Sequence, residues 1–383
     1  NFTDSLPVSE YHFILYLRDG KAFMETIRSK DVGWIKKIKT VWENRSLMGG
    51  GALEHGNSSF YVLPDFGDTT FTSMIKRVAL HEFMHIFTPL NLHSEQIGNF
   101  DYVEPKMSKH LWLYEGVTEY FANLILLQSN LITDREFFTQ RIRNKISSSS
   151  RYPEKKISFT DMSQRVFEKK YGQHYYQVYQ RGAIIGLLLD IEIIRLTNGQ
   201  KTLKDVVLEL SNKYGSERSF NEETFFDEFS ALVHPDLRHW FANYVEGTVP
   251  LDIRGGLSQI GVNYSKKGKH LVPKRIFRDY GTKSYFLSMG KYRKIKKVGK
   301  KDPIGFEVGD SVNTEILDSL LYDEKGYPRP EGTQVSIKLK RNGNKLSLPY
   351  KIEYKERKYK HRLLLSRDPN DIQSNYYSVW RSN

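Results

Sequence analysis

His81-Glu82-Phe83-Met84-His85 reads H-E-x-x-H inside a stretch, Thr72–Phe87, whose apolar residues recur at helical spacing until Pro89 stops it. Histidines four apart project from one face of a helix, one turn separated, so both imidazoles reach a single zinc ion. Glu82 stands one step round from His81, where a carboxylate meets the reacting water rather than the metal. With 11 histidines in 383 residues, about 0.02 chance copies of the pattern are expected if glutamate makes up roughly 6% of residues. Two unrelated histidines on an ordinary helix are therefore the weaker reading. The pattern predicts a metal site that still lacks its third protein ligand.

Zinc at a hydrolytic site takes three protein ligands and keeps a fourth position open. A third histidine on an extended form of the motif would need a glycine and a histidine where Thr88 and Asn91 stand. The remaining candidates are Glu95, Glu104 and Glu115. Spacing alone selects Glu104, 19 positions after His85. Local structure opposes it, because Glu104 precedes Pro105 and is pushed out of helical angles. Glu115 lies within an expected helix, Leu111–Asn130, which holds a ligand rigidly, and it is the reading preferred here. Glu119, four positions further on the same face, is placed to accept a hydrogen bond from the free nitrogen of a ligating histidine.

Composition bounds the rest. A chain of 383 residues exceeds one compact core and implies two or three domains. Its 39% hydrophobic and 13% aromatic residues describe a globular protein, not a disordered one. No apolar run reaches the ~18 residues that span a bilayer; Ala183–Leu189 is broken by Asp190. There are no cysteines, so disulfides and thiolate zinc sites are excluded and any metal rests on histidine and carboxylate. Absence of cysteine fits an oxidising, extracytoplasmic compartment such as a periplasm or cell envelope. The chain begins at Asn1 without a basic or apolar leader, and reads as a processed or truncated product. Net charge is +13. Lysines bunch in Lys291–Lys301 with few interleaved aromatics to stack on bases, so a solvated surface is expected and no nucleic-acid partner.

Along the chain, Tyr11–Leu17 reads as a buried strand and Asp31–Asn44 as an amphipathic helix. Gly49-Gly50-Gly51 leads into Ala52-Leu53-Glu54-His55 and a further strand, Ser59–Leu63. Beyond the second helix the chain is mainly helical, with Asp134–Ile146, a long apolar helix Tyr175–Arg195, Leu203–Tyr214, Glu222–Leu232 and His239–Val245. Glu246–Gly256 reads as a linker. Strands follow it: Val335, Ile337 and Leu339 alternate with polar residues, and Asn342-Gly343 signals a hairpin turn into Leu346, Leu348, Tyr350 and Ile352.

Taken together, His81–His85 and Leu111-Trp112-Leu113-Tyr114-Glu115-Gly116-Val117-Thr118-Glu119-Tyr120 resemble the glycyl aminopeptidase family of gluzincin zinc metallopeptidases. In that family a W-x-x-E-G-x-T-x-Y segment supplies the third ligand, which implies one zinc per chain on His81, His85 and Glu115 with Glu82 as general base. Gly51-Ala52-Leu53-Glu54-His55 is similar to the family's G-L-E-H motif, implying that Glu54 binds the substrate's free α-amine with Gly51 and Ala52 beside it. Tyr179-Gln180-Arg181-Gly182 is similar to a Y-x-K-G segment whose tyrosine steadies the oxyanion. His174, Tyr175 and Tyr176 are nearby rivals for that role.

The resemblance implies an α+β architecture. A thermolysin-like catalytic domain, with a small edge sheet and a helical part, spans residues 1–254, its first 20 residues standing as the end of an N-terminal β-domain. A smaller, mostly-β PDZ-like domain covers 255–355 and a docking tail 356–383. Ile304–Asp310 resembles the G-L-x-x-G-D turn of PDZ-like domains, although the V-N-G that usually follows is replaced by Ser311–Ile316, and no carboxylate-binding loop is recognisable. The implied activity is removal of small amino-terminal residues from peptides. Two alternatives stand beside it: a zinc endopeptidase of the same fold, and a non-catalytic binding protein that retains it.

Overall fold

Ser58–Asp65 alternates buried and exposed side chains, with Ser59, Tyr61 and Leu63 turned inward, as a strand with one covered face must. In the computed structural model, which describes residues 6–29, 32–43, 50–65, 69–286, 292–323 and 327–382, it is the centre of a three-stranded sheet. Strand β1 (His12–Asp19) pairs with it in parallel, strand β2 (Gly51–His55) antiparallel, and Ser58–Asp65 is β3, giving the order β1-β3-β2. The expected strand at Tyr11–Leu17 is therefore present, but it is not buried: Ile14 is 49% and Tyr16 59% exposed. β1 is an edge strand, and its Phe13, itself 48% exposed, stacks on Tyr61 at 6.3 Å and on Phe83 at 6.2 Å. Of the expected helix Asp31–Asn44, Trp34–Glu43 is helical; Asp31, Asn44 and Gly49 lie outside the described residues.

The chain divides into two units, residues 1–132, 140–264 and 366–383 forming one and residues 133–139 and 265–365 the other. In the first, helix Thr69–Met84 packs on β2 and β3 and against helix Thr118–Gln128. The organising element is the 20-residue helix Gln177–Leu196. It is apolar on nearly every face, and such a helix is stable only when surrounded. The segment Trp112–Val117, helices Arg143–Ser149, Leu203–Tyr214, Asp236–Tyr244 and Ile253–Gln259, and the last helix Asp371–Ser382 all pack on it. Its one buried acid, Asp190, is fully satisfied. Tyr120 donates its phenol at 2.5 Å and Leu203 its backbone N–H at 2.8 Å. The same phenol accepts the Trp380 indole N–H at 2.7 Å. One hydroxyl thereby joins three helices.

Two boundaries fall elsewhere than the sequence implied. The boundary expected at residues 254–255 lies inside helix Ile253–Gln259, because Asp252 caps Gly255 at 2.8 Å and Leu257 is buried. Gly256 serves packing, not flexibility: a Cβ there would meet Leu188 at 2.7 Å. The C-terminal segment read as a tail from residue 356 starts as strand Tyr354–Leu365; only after Leu365 does the chain return to the first unit, as a helix that buries Tyr376 and Trp380. Basic residues on both faces of that strand, Lys355 and Arg357 on the less exposed one and Lys358 and Lys360 on the other, conceal its two-residue period.

After strand β4 (Val262–Pro273), which pairs with strand Tyr354–Leu365, comes a five-stranded antiparallel sheet of the second unit, β5 (Lys283–Phe286), β6 (Tyr292–Lys297), β7 (Ser311–Asn313), β8 (Gln334–Arg341) and β9 (Asn344–Lys351), ordered as numbered from β5 to β9. Asn342 and Gly343 both take positive φ, 50° and 84°, and close the β8–β9 hairpin, which is what a type I′ turn requires. Ile295, Val312, Ile337, Leu339 and Tyr350 form its core together with helix residues Leu317 and Leu321. The Ile304–Asp310 turn is held by Arg341, which donates to both oxygens of the fully buried Asp310 at 2.8 Å. Burial pushes that carboxyl up, but the guanidinium outweighs it and holds the group below its ordinary range.

Candidate metal centre and active site

Helix Thr69–Met84 carries His81 in its last turn, and His85 follows in a tighter turn closed by His85 N–H donating to the Glu82 carbonyl at 3.2 Å. The helix ends earlier than Phe87, yet both histidines keep one face: their rings lie 4.9 Å apart and nearly perpendicular. Glu115 arrives from the other side. It does not sit on an ordinary α-helix, as its apolar spacing predicted; Trp112–Val117 is a π-helical turn, followed by the α-helix Thr118–Gln128. Such wide turns are uncommon and concentrate at functional sites.

The ligand atoms of His81, His85 and Glu115 lie within 4.8 Å of one another. His81 Nε2 is 3.1 Å and His85 Nε2 3.8 Å from the same Glu115 oxygen, Oε2. The opposite ring nitrogens are engaged elsewhere. His81 Nδ1 bonds Glu119 Oε2 at 3.0 Å, and His85 Nδ1 donates to the Thr88 carbonyl at 2.9 Å. These bonds select the tautomer that leaves each Nε2 lone pair aimed inward. Two imidazoles and one carboxylate converging in this way suit zinc, which takes three such ligands at a hydrolytic site. Burial alone would depress His81, but Glu115 and Glu119 overcome it and raise the imidazole to about 10, so the two carboxylates favour a cation at this ring, either its own second proton or an ion in that proton's place; His85 is held below its ordinary range by burial.

Glu104, preferred by spacing, lies on an exposed loop where its N–H donates to Asp101 at 3.1 Å. Among the described residues it joins no group able to hold a metal. Glu82 is buried beside His81. Burial raises its carboxyl, His81 partly offsets this, and the charges of Glu54 and Glu115 add to it, leaving the group at about 7. A carboxyl poised there exchanges protons readily near neutrality. Glu54, on edge strand β2, comes within 4.8 Å of Glu82 and His85 as a second convergent group. Gly51 and Ala52 lie on the same strand, and a Cβ at Gly51 would touch nothing.

Tyr179 lies in the first turn of the long helix, its ring 5.5 Å from that of His81. Burial, Glu115 and Tyr175 all push its phenol well above the ordinary range, so it remains a proton donor. Tyr175 and Tyr176 precede the helix and pack on Tyr179 at 6.0 and 6.4 Å, while His174 packs on Tyr152.

Three contributors escaped sequence reading. The Tyr11 phenol donates to the Glu82 carbonyl at 3.3 Å, and its ring meets Phe83 edge-on at 5.0 Å. Asn123 donates to Glu119 Oε1 at 3.2 Å, and Lys145 bonds the same oxygen at 2.5 Å. Only Lys145 left a signal: it occupies the face of its helix that also carries Ile142, Ile146 and Ser149, all buried.

The profile of a family described as M61 glycyl aminopeptidase matches residues 75–185. That stretch is under a third of the chain and contains His81, Glu82, His85, Glu115, Glu119 and Tyr179. A comparison with curated protein sequences gives no match. Among solved structures, that of an aminopeptidase N family protein from Idiomarina loihiensis is similar over 99% of this chain and 63% of its own, with a TM-score of 0.60 and 17% identity. At that identity the likeness is one of fold, and this chain spans less than two thirds of that protein's length. No helix among the described residues is long and apolar enough to cross a membrane. The chain is thus similar in sequence to M61 glycyl aminopeptidases over the stretch that carries the site, and similar in fold to an aminopeptidase N family protein.

Proposed function

We propose that this chain is a zinc-dependent peptidase of the gluzincin type, acting on the free amino terminus of peptides. The observation that carries the proposal is the convergence of His81, His85 and Glu115 with Glu82 beside them. Zinc held by the first three would supply a Lewis acid for the scissile carbonyl and lower the pKa of a water in its open position. Glu82 takes the proton of the attacking water and passes it to the leaving amine. The Tyr179 phenol donates to the carbonyl oxygen as negative charge develops there. Glu119 holds His81 in its working tautomer. The small β1-β3-β2 sheet and the helices behind it are read as a thermolysin-like catalytic domain, and the second unit as PDZ-like.

Glu54 decides between an exopeptidase and an endopeptidase. A half-buried carboxylate next to the base would accept the substrate's ammonium in a charge-assisted bond and set cleavage one residue in. Its place within 4.8 Å of Glu82 and His85 favours the first. Glu54→Ala is expected to lower kcat/KM on glycyl and alanyl reporter substrates by about 10–100-fold, the value of a hydrogen bond to a charged group. The comparison uses amino-terminally acetylated peptides of the same sequence. Wild-type turnover confined to free amines supports the proposal; equal turnover of both, or equal loss of both on Glu54→Ala, contradicts it.

A further inference from the structure

Lys145 is only 6% exposed. Burying an ammonium is unfavourable unless its protons are bonded, and an apolar residue of similar volume would serve packing as well or better. Its bonds indicate why the charge is present. Nζ donates to Glu119 Oε1 at 2.5 Å and to the backbone carbonyl of Tyr179 at 3.3 Å. These acceptors belong to two different helices, Thr118–Gln128 and Gln177–Leu196. The other oxygen of Glu119 holds His81 Nδ1 at 3.0 Å, and the ring of Tyr179 rests against the His81 ring. Asn123 Nδ2 bonds Glu119 Oε1 as well, at 3.2 Å, so one oxygen is fixed by two donors and the other is left for the histidine.

We propose that Lys145 is a positioning residue: its buried ammonium clamps Glu119 against His81 and ties that clamp to the helical turn bearing Tyr179, so that one cation sets the aim of a metal ligand and the reach of the tyrosine together. The proposal rests on the reading of His81, His85 and Glu115 as zinc ligands. Lys145 touches no reacting atom and acts through its two partners.

The test uses the full chain as wild type, Lys145→Met, Lys145→Arg, Glu119→Gln and the double variant Lys145→Met/Glu119→Gln. Zinc affinity is measured by competition with a chromophoric chelator at one pH, beside thermal unfolding. Lys145→Met is expected to weaken zinc binding by about 10–100-fold, the usual cost of removing a partner of a ligating histidine. Lys145→Arg, which keeps the charge, is expected to recover most of that loss. The double variant is expected to bind zinc no more weakly than Glu119→Gln, since both changes act along one path. It also replaces the buried ion pair with a neutral one, which keeps the comparison readable where Lys145→Met alone does not fold. Where it folds, Lys145→Met is further expected to lower kcat with little change in KM. A folded Lys145→Met with wild-type zinc affinity overturns the proposal, as does a double variant that binds markedly more weakly than Glu119→Gln. Wild-type protein that binds no zinc overturns the metal-site reading itself, a separate result.

Discussion

Glu82→Gln is expected to lower kcat by about 10²–10⁴-fold, the usual contribution of a positioned general base, while zinc content stays at one per chain. Glutamine matches glutamate in volume, so the cavity beside His81 remains filled. What it loses is the ability to accept a proton. In the native site burial, with Glu54 and Glu115 adding to it, raises the Glu82 carboxyl to about 7, so near neutral pH it can take a proton from water and still release it to an amine. An amide does neither. The check is paired: turnover of a glycyl reporter substrate, and metal content by elemental analysis of the same sample. Turnover within tenfold of wild type would remove Glu82 from the role of base. Loss of zinc along with turnover would make it a ligand instead.

The second large effect is expected where two glycines meet. Gly182→Ala should destabilise the first unit by about 3 kcal/mol, at the upper end of what overpacking typically costs. A Cβ built on Gly182 would lie 2.7 Å from the Gly116 Cα, and one built on Gly116 would lie 2.7 Å from the Gly182 Cα. Both obstacles are backbone, which cannot swing aside as a side chain does. The two glycines belong to the Glu115 segment and the Tyr179 segment, and they let the π-helical turn and the long helix touch main chain to main chain. A methyl at either position forces these elements apart, and with them Glu115 and Tyr179. A displacement near 1 Å in such a site costs roughly 10² in rate, so kcat should fall even below the unfolding transition. Gly33→Ala is the control, since nothing lies within 4 Å of a Cβ there; a surface change of that kind stays within about 0.5 kcal/mol. Denaturant titrations of the three proteins provide the measurement. A Gly182→Ala protein as stable as the control would contradict the packing argument.

This contact also marks how far the sequence could be read. Helical periodicity located His81, His85 and the Glu115 segment, because side-chain spacing along one helix depends on the chain alone. The Asn342-Gly343 turn was legible for the same reason: its two positive φ values are a local demand. The π turn was not, since an apolar stripe does not specify whether N–H groups reach back four residues or five. Gly116 and Gly182 each stood within a recognised motif, but that they meet follows only from tertiary packing. Lys145 was passed over because most lysines are solvated, although its neighbours on the helix face were apolar. Gly255 and Gly256 read as a linker for want of the Asp252 cap and of Leu188, whose side chain makes Gly256 a packing residue.

If His81, His85 and Glu115 hold one zinc ion, Glu115 is needed for the metal and Glu104 is not. Zinc bound per chain, measured for wild type, Glu115→Ala and Glu104→Ala after dialysis against a weak chelator, tests it most directly. One equivalent is expected in wild type and in Glu104→Ala, and none in Glu115→Ala. Zinc retained by Glu115→Ala, or lost from Glu104→Ala, would contradict it.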